Sequence, residues 1–445
     1  MKTSSYLVLF SIVYLVLSGI LFVKIPSFQT RMEIDSPAYT SYTECFEEHG
    51  AFIKPGETKC TNWFSIGYPM FMVGVRSIFG NNYLFVILLQ ILLGIFIIGL
   101  VFRLSSYFFS RKVSLLAAFL ASINLAFILY PHFILTESLL CFVYLFAFER
   151  FVAYLFEGKW HQIGLSGLIF GLSIIVKSAA IYFMIFLAGF LFIWGSRFFL
   201  KNIKAVLLFL LCFFIPVFGF VLRNKSVYGY YYLKSVDKVN LYHFYLPQIL
   251  QEEGLSEDEA SAKVHSLMNV KEFASGEGWE KVHELFIQKV SSNPVLAIKI
   301  WLKNVMKTFM GLYTNHLKVI LYTNIRGGDC SYFYYSGSWY EKAWSYLSFG
   351  TESKFLIGLG IFEAVWDFIR YLFVLIGLFY LLLRRKFLWA MLFSVYIFYF
   401  SFITGHAGCA RFRSMIEAPL VIMISLGIFV LCDLFTRKKI SILKN

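Results

Sequence analysis

The sequence predicts an all-α polytopic membrane protein of about ten transmembrane helices, on three grounds. Hydrophobic residues make up 59% of the 445 residues and charged ones only 15%, with mean hydropathy +0.70. A soluble domain carries roughly 25% charge, so most of this surface meets something other than water. The apolar residues gather in runs long enough to cross a bilayer, and Lys and Arg fall in the short breaks between them. The formal net charge of +14 therefore points to oriented spans and contact with membrane lipids, and no nucleic-acid partner is expected. Aromatic residues, 20% of the chain with 52 Phe, suit a body set in lipid with rings at its interfaces.

Apolar segments lie at 6–23, 82–102, 113–131, 133–156, 162–176, 179–194, 205–222, 366–383, 387–404 and 415–435. The first follows a single Lys, is long for a signal-peptide core and has no small-residue cleavage site, so it reads as a retained span. Gly164–Trp194 is nearly continuous, broken only at Lys177-Ser178, and charge decides that it crosses twice. With ten spans and both termini cytoplasmic, every inner break is basic: Arg103, Arg111 and Lys112; Arg150 and Lys159; Arg197, Lys201 and Lys204; Arg384, Arg385 and Lys386; Arg437, Lys438 and Lys439. This is the positive-inside pattern of an inner (plasma) membrane protein.

The chain then divides into an N-terminal transmembrane region, 1–222, holding a first outer loop at 24–81; a large, mostly helical outer-loop subdomain, 223–365; and C-terminal transmembrane helices with a short cytoplasmic tail, 366–445. The first loop contains two interfacial helices. Ser36 reads as an N-cap with Pro37 at the first helical position, and Pro69 starts a second, Met70–Phe79, apolar enough to lie along the membrane. The subdomain shows a capping box, Ser256 with Glu259, and Asn293-Pro294 ahead of an amphipathic, Lys-dotted helix over Val295–Tyr313.

Ionisable groups at the membrane edge are costly and mark function. On the outer side they are Glu33, Asp35, Glu137, Lys177, Arg223, His406, Arg411 and Arg413. Asp35, at a helix start whose amides favour its ionised form, reads either as a general base or as a helix-start carboxylate without chemistry. Glu137 begins the fourth span and either serves the site or compensates that helix's N-terminus. Lys177 either contacts a phosphate or extends to the interface. The guanidinium forks of Arg411 and Arg413 match phosphate and would equally pair with acidic neighbours or headgroups. His406 has no partner at ligand spacing, and none of the seven cysteines shows paired zinc-ligand spacing. Cys45 and Cys60 flank Phe46–Lys59 in the first outer loop and are the candidate disulfide, worth roughly 3 kcal/mol by loop closure; two free thiols, or pairing with Cys330 or Cys409, are the alternatives.

Five motifs in order carry a family resemblance: Asp35-Ser36-Pro37-Ala38-Tyr39; Gly67-Tyr68-Pro69 with Phe79-Gly80; Leu135-Thr136-Glu137; Arg223-Asn224 with Gly229 and Asn240-Leu241; and Gly408-Cys409-Ala410-Arg411-Phe412-Arg413 with Pro419. Together they resemble the bacterial GT-C glycosyltransferases of the dolichyl-phosphate-mannose protein mannosyltransferase and aminoarabinose transferase superfamily, in particular the RgtA/B/C/D-like branch. Phe412 stands where Tyr is usual, Ile66 where Pro is frequent, and Glu33 with Asp35 where many members have an Asp-Glu pair.

The resemblance implies inverting transfer of a sugar from a polyprenyl-phosphate carrier to a lipid, glycan or protein acceptor on the outer face. Asp35 would be the base, Glu33 or Glu137 a second acid or acceptor contact, and Lys177, Arg223, Arg411 and Arg413 the carrier-phosphate group. No metal ligand is assigned, although some relatives take a divalent metal. The other readings are a transporter or flippase for a lipid-linked sugar, which would favour repeated halves and a midplane site, and a membrane scaffold. Reporter fusions after Trp194 and after Lys225 are expected to report cytoplasm and exterior respectively; the reverse at either point removes the ten-span arrangement.

Overall fold

A computed structural model describes residues 2–33, 35–50, 65–194, 199–228, 231, 240–267, 279–322, 332, 335, 337–436, 442 and 443. These are helical throughout, with one isolated bridge between Phe109 and Leu443. In chain order come α1 (Thr3–Lys24), α2 (Ser36–His49), α3 (Gly67–Phe79), α4 (Leu84–Phe108), α5 (Arg111–Ser122), α6 (Leu125–Leu129), α7 (Glu137–Glu157), α8 (Trp160–Val176), α9 (Phe183–Trp194) and α10 (Phe199–Tyr228). The second half holds α11 (Leu246–Glu252), α12 (Glu257–Leu267), α13 (Trp279–Ser292), α14 (Pro294–Met310), α15 (Tyr313–Leu321), α16 (Trp339–Ser348), α17 (Lys354–Leu383), α18 (Phe387–Phe402), the short α19 (Ala410–Arg413) and α20 (Glu417–Thr436).

Among the described residues six helices are long and apolar enough to cross a membrane, or seven if the pair α5 and α6, bent by 46°, is one broken span. The shorter apolar helices α8, α9 and α18 fall on the remaining expected segments. Large apolar side chains stay exposed along α1 (Val8, Ile12, Val16, Ile20), α10 (Leu211, Phe214, Ile215, Phe218) and α17 (Phe368, Leu375, Phe379), as the lipid-facing sides of spans require. Inside, the aromatic content becomes packing. Phe148 meets Tyr396 at 4.8 Å, and Phe183 meets Phe400 at 5.2 Å, tying α7, α9 and α18 together.

Local chemistry accounts for several boundaries. The span expected over 113–131 breaks at Ile123, and Asn124 caps α6 by accepting from Ala126 and Phe127 N–H. Asp35, rather than Ser36, takes the N-cap position of α2. The Ser36 hydroxyl instead accepts from Glu33 N–H and donates to the Ile134 carbonyl, 2.9 Å each, which ties the loop to the bundle. The Ser256–Glu259 capping box is present, and Asn293 caps α14 through Leu296 N–H. Helix α17 begins at Lys354, twelve residues ahead of the expected 366–383 segment, because Lys354–Val365 remains apolar enough to continue the helix.

That extension holds a buried ionic network. Arg413 is fully buried and pairs with Asp367 (2.9 Å), Glu417 (3.1 Å) and Glu363 (3.5 Å), while its Nη1 donates to the carbonyls of Phe309 and Gly311. Arg370 pairs with Asp367 (2.9 Å) and Glu417 (3.1 Å). Glu417 also accepts from Asn124 Nδ2 and the Tyr313 hydroxyl, and Glu363 accepts from the N–H groups of Tyr313 and Thr314 at the start of α15. The network joins the break in the α5–α6 span, α15, α17 and α20. Arg413→Met, which leaves its three acids with one buried guanidinium, is expected to cost roughly 3–5 kcal/mol and to lower the thermal unfolding midpoint of the detergent-solubilised chain. An unchanged midpoint would rule this role out.

Candidate functional site

The site forms where the first loop, the start of α7, the α8–α9 break and the segment before α20 meet. Arg411 Nη2 donates to Asp35 Oδ2 at 2.8 Å, and its Nε lies 3.3 Å from Glu137 Oε1. Lys177 Nζ approaches the same Glu137 oxygen at 3.6 Å. One carboxylate thus receives both cations, while the other is held by the guanidinium alone. Phe412 lies under both, with Lys177 Nζ at 5.2 Å and Arg411 Cζ at 5.4 Å from its ring.

Each side chain has a local reason for its place. Lys177 ends α8 in extended backbone, and the Tyr144 hydroxyl donates to its carbonyl at 2.9 Å. Gly67 lets α3 press on that break, since a Cβ there would sit 2.7 Å from the Ile175 backbone. Arg411 is set by the preceding segment. Gly408 has φ +63° and touches Asn304, whose carbonyl a Cβ would meet at 1.9 Å. Asn304 donates to the Gly405 carbonyl (2.9 Å), and Gln248 donates to the His406 carbonyl (3.2 Å). Helices α11 and α14 therefore hold 405–408 while Arg413 holds the other side, and Arg411 projects between the two anchors.

Of the sequence-predicted residues, Asp35, Glu137, Lys177 and Arg411 come together. Glu33 sits at the rim and pairs with His316 of α15 at 3.7 Å. Arg223 is half-buried near the end of α10 and donates to Asn224 at 2.9 Å; one turn earlier, Phe220 packs on Tyr42 and Ile66. Arg413 is the correction. It was grouped with the phosphate-binding cations, but its place in the buried network commits it to protein partners. His406 Nδ1 lies 3.2 Å from the Ile403 carbonyl, and its ring lies 5.9 Å from Phe412. Cys60 lies outside the described residues, as do Cys330 and Gly229. Among the described residues Cys45 forms no disulfide, and its Sγ lies 3.9 Å from His49 Nδ1. No three His, Cys, Asp or Glu side chains gather at metal-binding distance among those described.

Sequence reasoning missed His316 and Lys307. Nothing in the α15 sequence points His316 at Glu33. Lys307 belongs to the Lys-dotted helix, and the spacing Asn304, Lys307, Gly311 puts it on the face that packs on Gly408 and Ala410. Burial, with Lys303 one turn away, pushes its ammonium down to about 8. Behind Glu137 a small cavity is lined by Gln90, Tyr130, Ser138 and Ser414. The Tyr130 and Ser138 hydroxyls and Glu137 Oε2 are buried there without a hydrogen-bond partner among the described residues, a setting polar enough for solvent.

These features define a multi-pass membrane protein with a compact acid–base cluster at one end of its bundle. Residues 65–220 match the family described as dolichyl-phosphate-mannose-protein mannosyltransferase. No curated protein matches the chain. In fold it is similar to the oligosaccharyltransferase AglB of Archaeoglobus fulgidus in complex with an inhibitory peptide and a dolichol-phosphate. The TM-score is 0.57 at 13% identity, over 98% of this chain and 51% of that one. The apo form of the Archaeoglobus fulgidus oligosaccharyltransferase gives 0.51 at 13% identity, over 98% and 51%. The form tethered to an acceptor peptide gives 0.51 at 14%, over 98% and 50%. The chain spans about half the length of these structures. It has the GT-C fold, the class that its motifs resemble.

Burial raises the Asp35 pKa, but the Arg411 and Lys177 charges and the Arg411 hydrogen bond outweigh it and hold the carboxyl below its ordinary 3.8. A depressed folded-state pKa contributes stability that is complete above the unfolded value and disappears as pH falls through the folded one. The midpoint loss caused by Asp35→Asn is therefore expected to stay constant from about pH 8 to about pH 5 and to shrink below about pH 4. A loss that grows on acidification would contradict the pairing.

Proposed function

We propose that the chain is a membrane glycosyltransferase that moves a sugar from a polyprenyl-phosphate carrier to a hydroxyl acceptor on the outer face of the cell membrane, with inversion. The observation that carries this reading is the Asp35–Arg411–Glu137–Lys177 cluster: two cations held by the buried Glu137, beside a second carboxylate, Asp35, that keeps an open side. Asp35 remains 28% exposed, whereas Glu137 is 3% exposed, so an incoming hydroxyl meets Asp35 first.

The chemistry follows from charge. As the acceptor oxygen bonds to the anomeric carbon, the bond from that carbon to the phosphate oxygen breaks and its electron pair leaves with the phosphate. The carrier phosphate gains one negative charge, and the acceptor proton passes to Asp35. Arg411 and Lys177, fixed over Phe412 in a poorly hydrated pocket, stabilise that growing charge more in the transition state than in the ground state. Glu137 keeps the two cations together when no phosphate is present.

Carrier binding also activates the base. A phosphate that draws Arg411 and Lys177 removes the interactions that depress the Asp35 pKa, and the burial contribution then makes Asp35 a stronger base. Single displacement needs one base and no covalent sugar–enzyme intermediate, which gives inversion.

Asp35→Asn is expected to lower turnover with a synthetic polyprenyl-phosphate sugar by about 10² to 10⁴ per folded molecule. Arg411→Ala is expected to raise the KM for the donor and to lower kcat as well. Near wild-type turnover by Asp35→Asn in nanodiscs would end the base assignment and move it to Glu33 or Glu137.

A further inference from the structure

We propose that α14 is an interfacial helix whose outward face is covered by the acyl chains and anionic headgroups of the bilayer, on the side that carries the Asp35 cluster. Its sequence separates three faces. Val295, Ile298, Leu302, Met306 and Met310 recur every three or four residues and are between 47% and 75% exposed. Ala297, Ile300, Asn304, Lys307 and Thr308 are buried on the opposite side. Lys299 and Lys303 line one edge of the apolar stripe, and Lys303 lies 3.7 Å from Glu252 of α11.

Five large apolar side chains in one unbroken row form a patch that a water-facing surface rarely keeps. Continuity with a membrane helix identifies what covers it. The Trp301 indole N–H donates to the Phe402 carbonyl at 2.9 Å, and the two rings pack at 5.6 Å. Phe402 and Phe398 are exposed on α18, so the exposed apolar surface of that helix lies beside α14, joined to it through Trp301. The lysines fit such a surface: basic side chains at the edge of an apolar stripe are the pattern of amphipathic helices that lie in the plane of a membrane, stems along the apolar surface and charge toward headgroups. A protein partner would need neither the alignment with α18 nor the basic edge.

The buried face gives the contact a consequence. Asn304 packs on Gly408 and Gly311 on Ala410, so α14 seated among headgroups fixes the depth of the segment that ends in Arg411. This inference rests on exposure, spacing and the contact with α18, and is independent of whether the chain transfers sugar.

The test uses the unmodified full chain in nanodiscs containing phosphatidylglycerol with a diazirine on its acyl chain, followed by photolysis and peptide mass mapping. Adducts on 295–310 are expected at the level seen on α18 and about tenfold above α12, whose sequence is polar. Adducts on α14 no more frequent than on α12 would overturn the proposal, whether water or a second copy of the chain covers the stripe. Sugar-transfer activity does not enter the readout.

Discussion

The guanidinium of Arg413 is the contact on which the arrangement of the remaining parts depends. It sits at zero exposure among three carboxylates and two backbone carbonyls, so every group that faces it has given up water for it. Such a cluster adds little net stability compared with well-packed apolar residues, but it tolerates no missing member. Its geometry therefore acts as a specification. The helices bearing Glu363, Asp367, Arg370 and Glu417 sit in a register that brings these charges together, and the same network reaches the start of α15 and the break at Asn124.

Two arginines two residues apart thus do opposite work. Arg413 points into the bundle and is consumed by structure. Arg411 emerges from the same short helix toward Asp35 and Glu137, in a pocket where carboxylates hold it but leave one of them, Asp35, partly open. The short α19 makes this division possible, because residues i and i+2 on a helix point to different sides. A single anchored turn can thus present one cation outward while its neighbour stays buried.

The architecture was legible in the sequence because its signals are long and repetitive. Apolar runs of bilayer length and basic breaks need no tertiary knowledge, and each expected segment has an apolar helix on it. Asp35, Glu137, Lys177 and Arg411 were legible as ionisable groups beside apolar runs, since a costly charge at such a place needs a partner. What sequence left open was which charges meet. Arg411 and Arg413 look alike in the chain and differ only through α17, whose acids lie some fifty residues upstream. Glu363, Asp367 and Arg370 did leave a trace, as ionisable residues about one turn apart within an apolar stretch. His316 left none, because its pairing with Glu33 depends on how the outer helices fold back.

Helices α8 and α9 contain 17 and 12 residues, about 26 and 18 Å of helix, against a hydrocarbon core of about 30 Å. Both are shorter than that core, and the break between them lies over 177–182. Lipid next to such a pair compresses to avoid exposing polar backbone, at a cost of fractions of a kcal/mol per Å. Bilayer thinning is therefore expected beside the α8–α9 break rather than beside the long helices α4 and α17. Two short helices that meet at one break thus give the bundle a thin side there, unlike the flanks formed by α4 and α17.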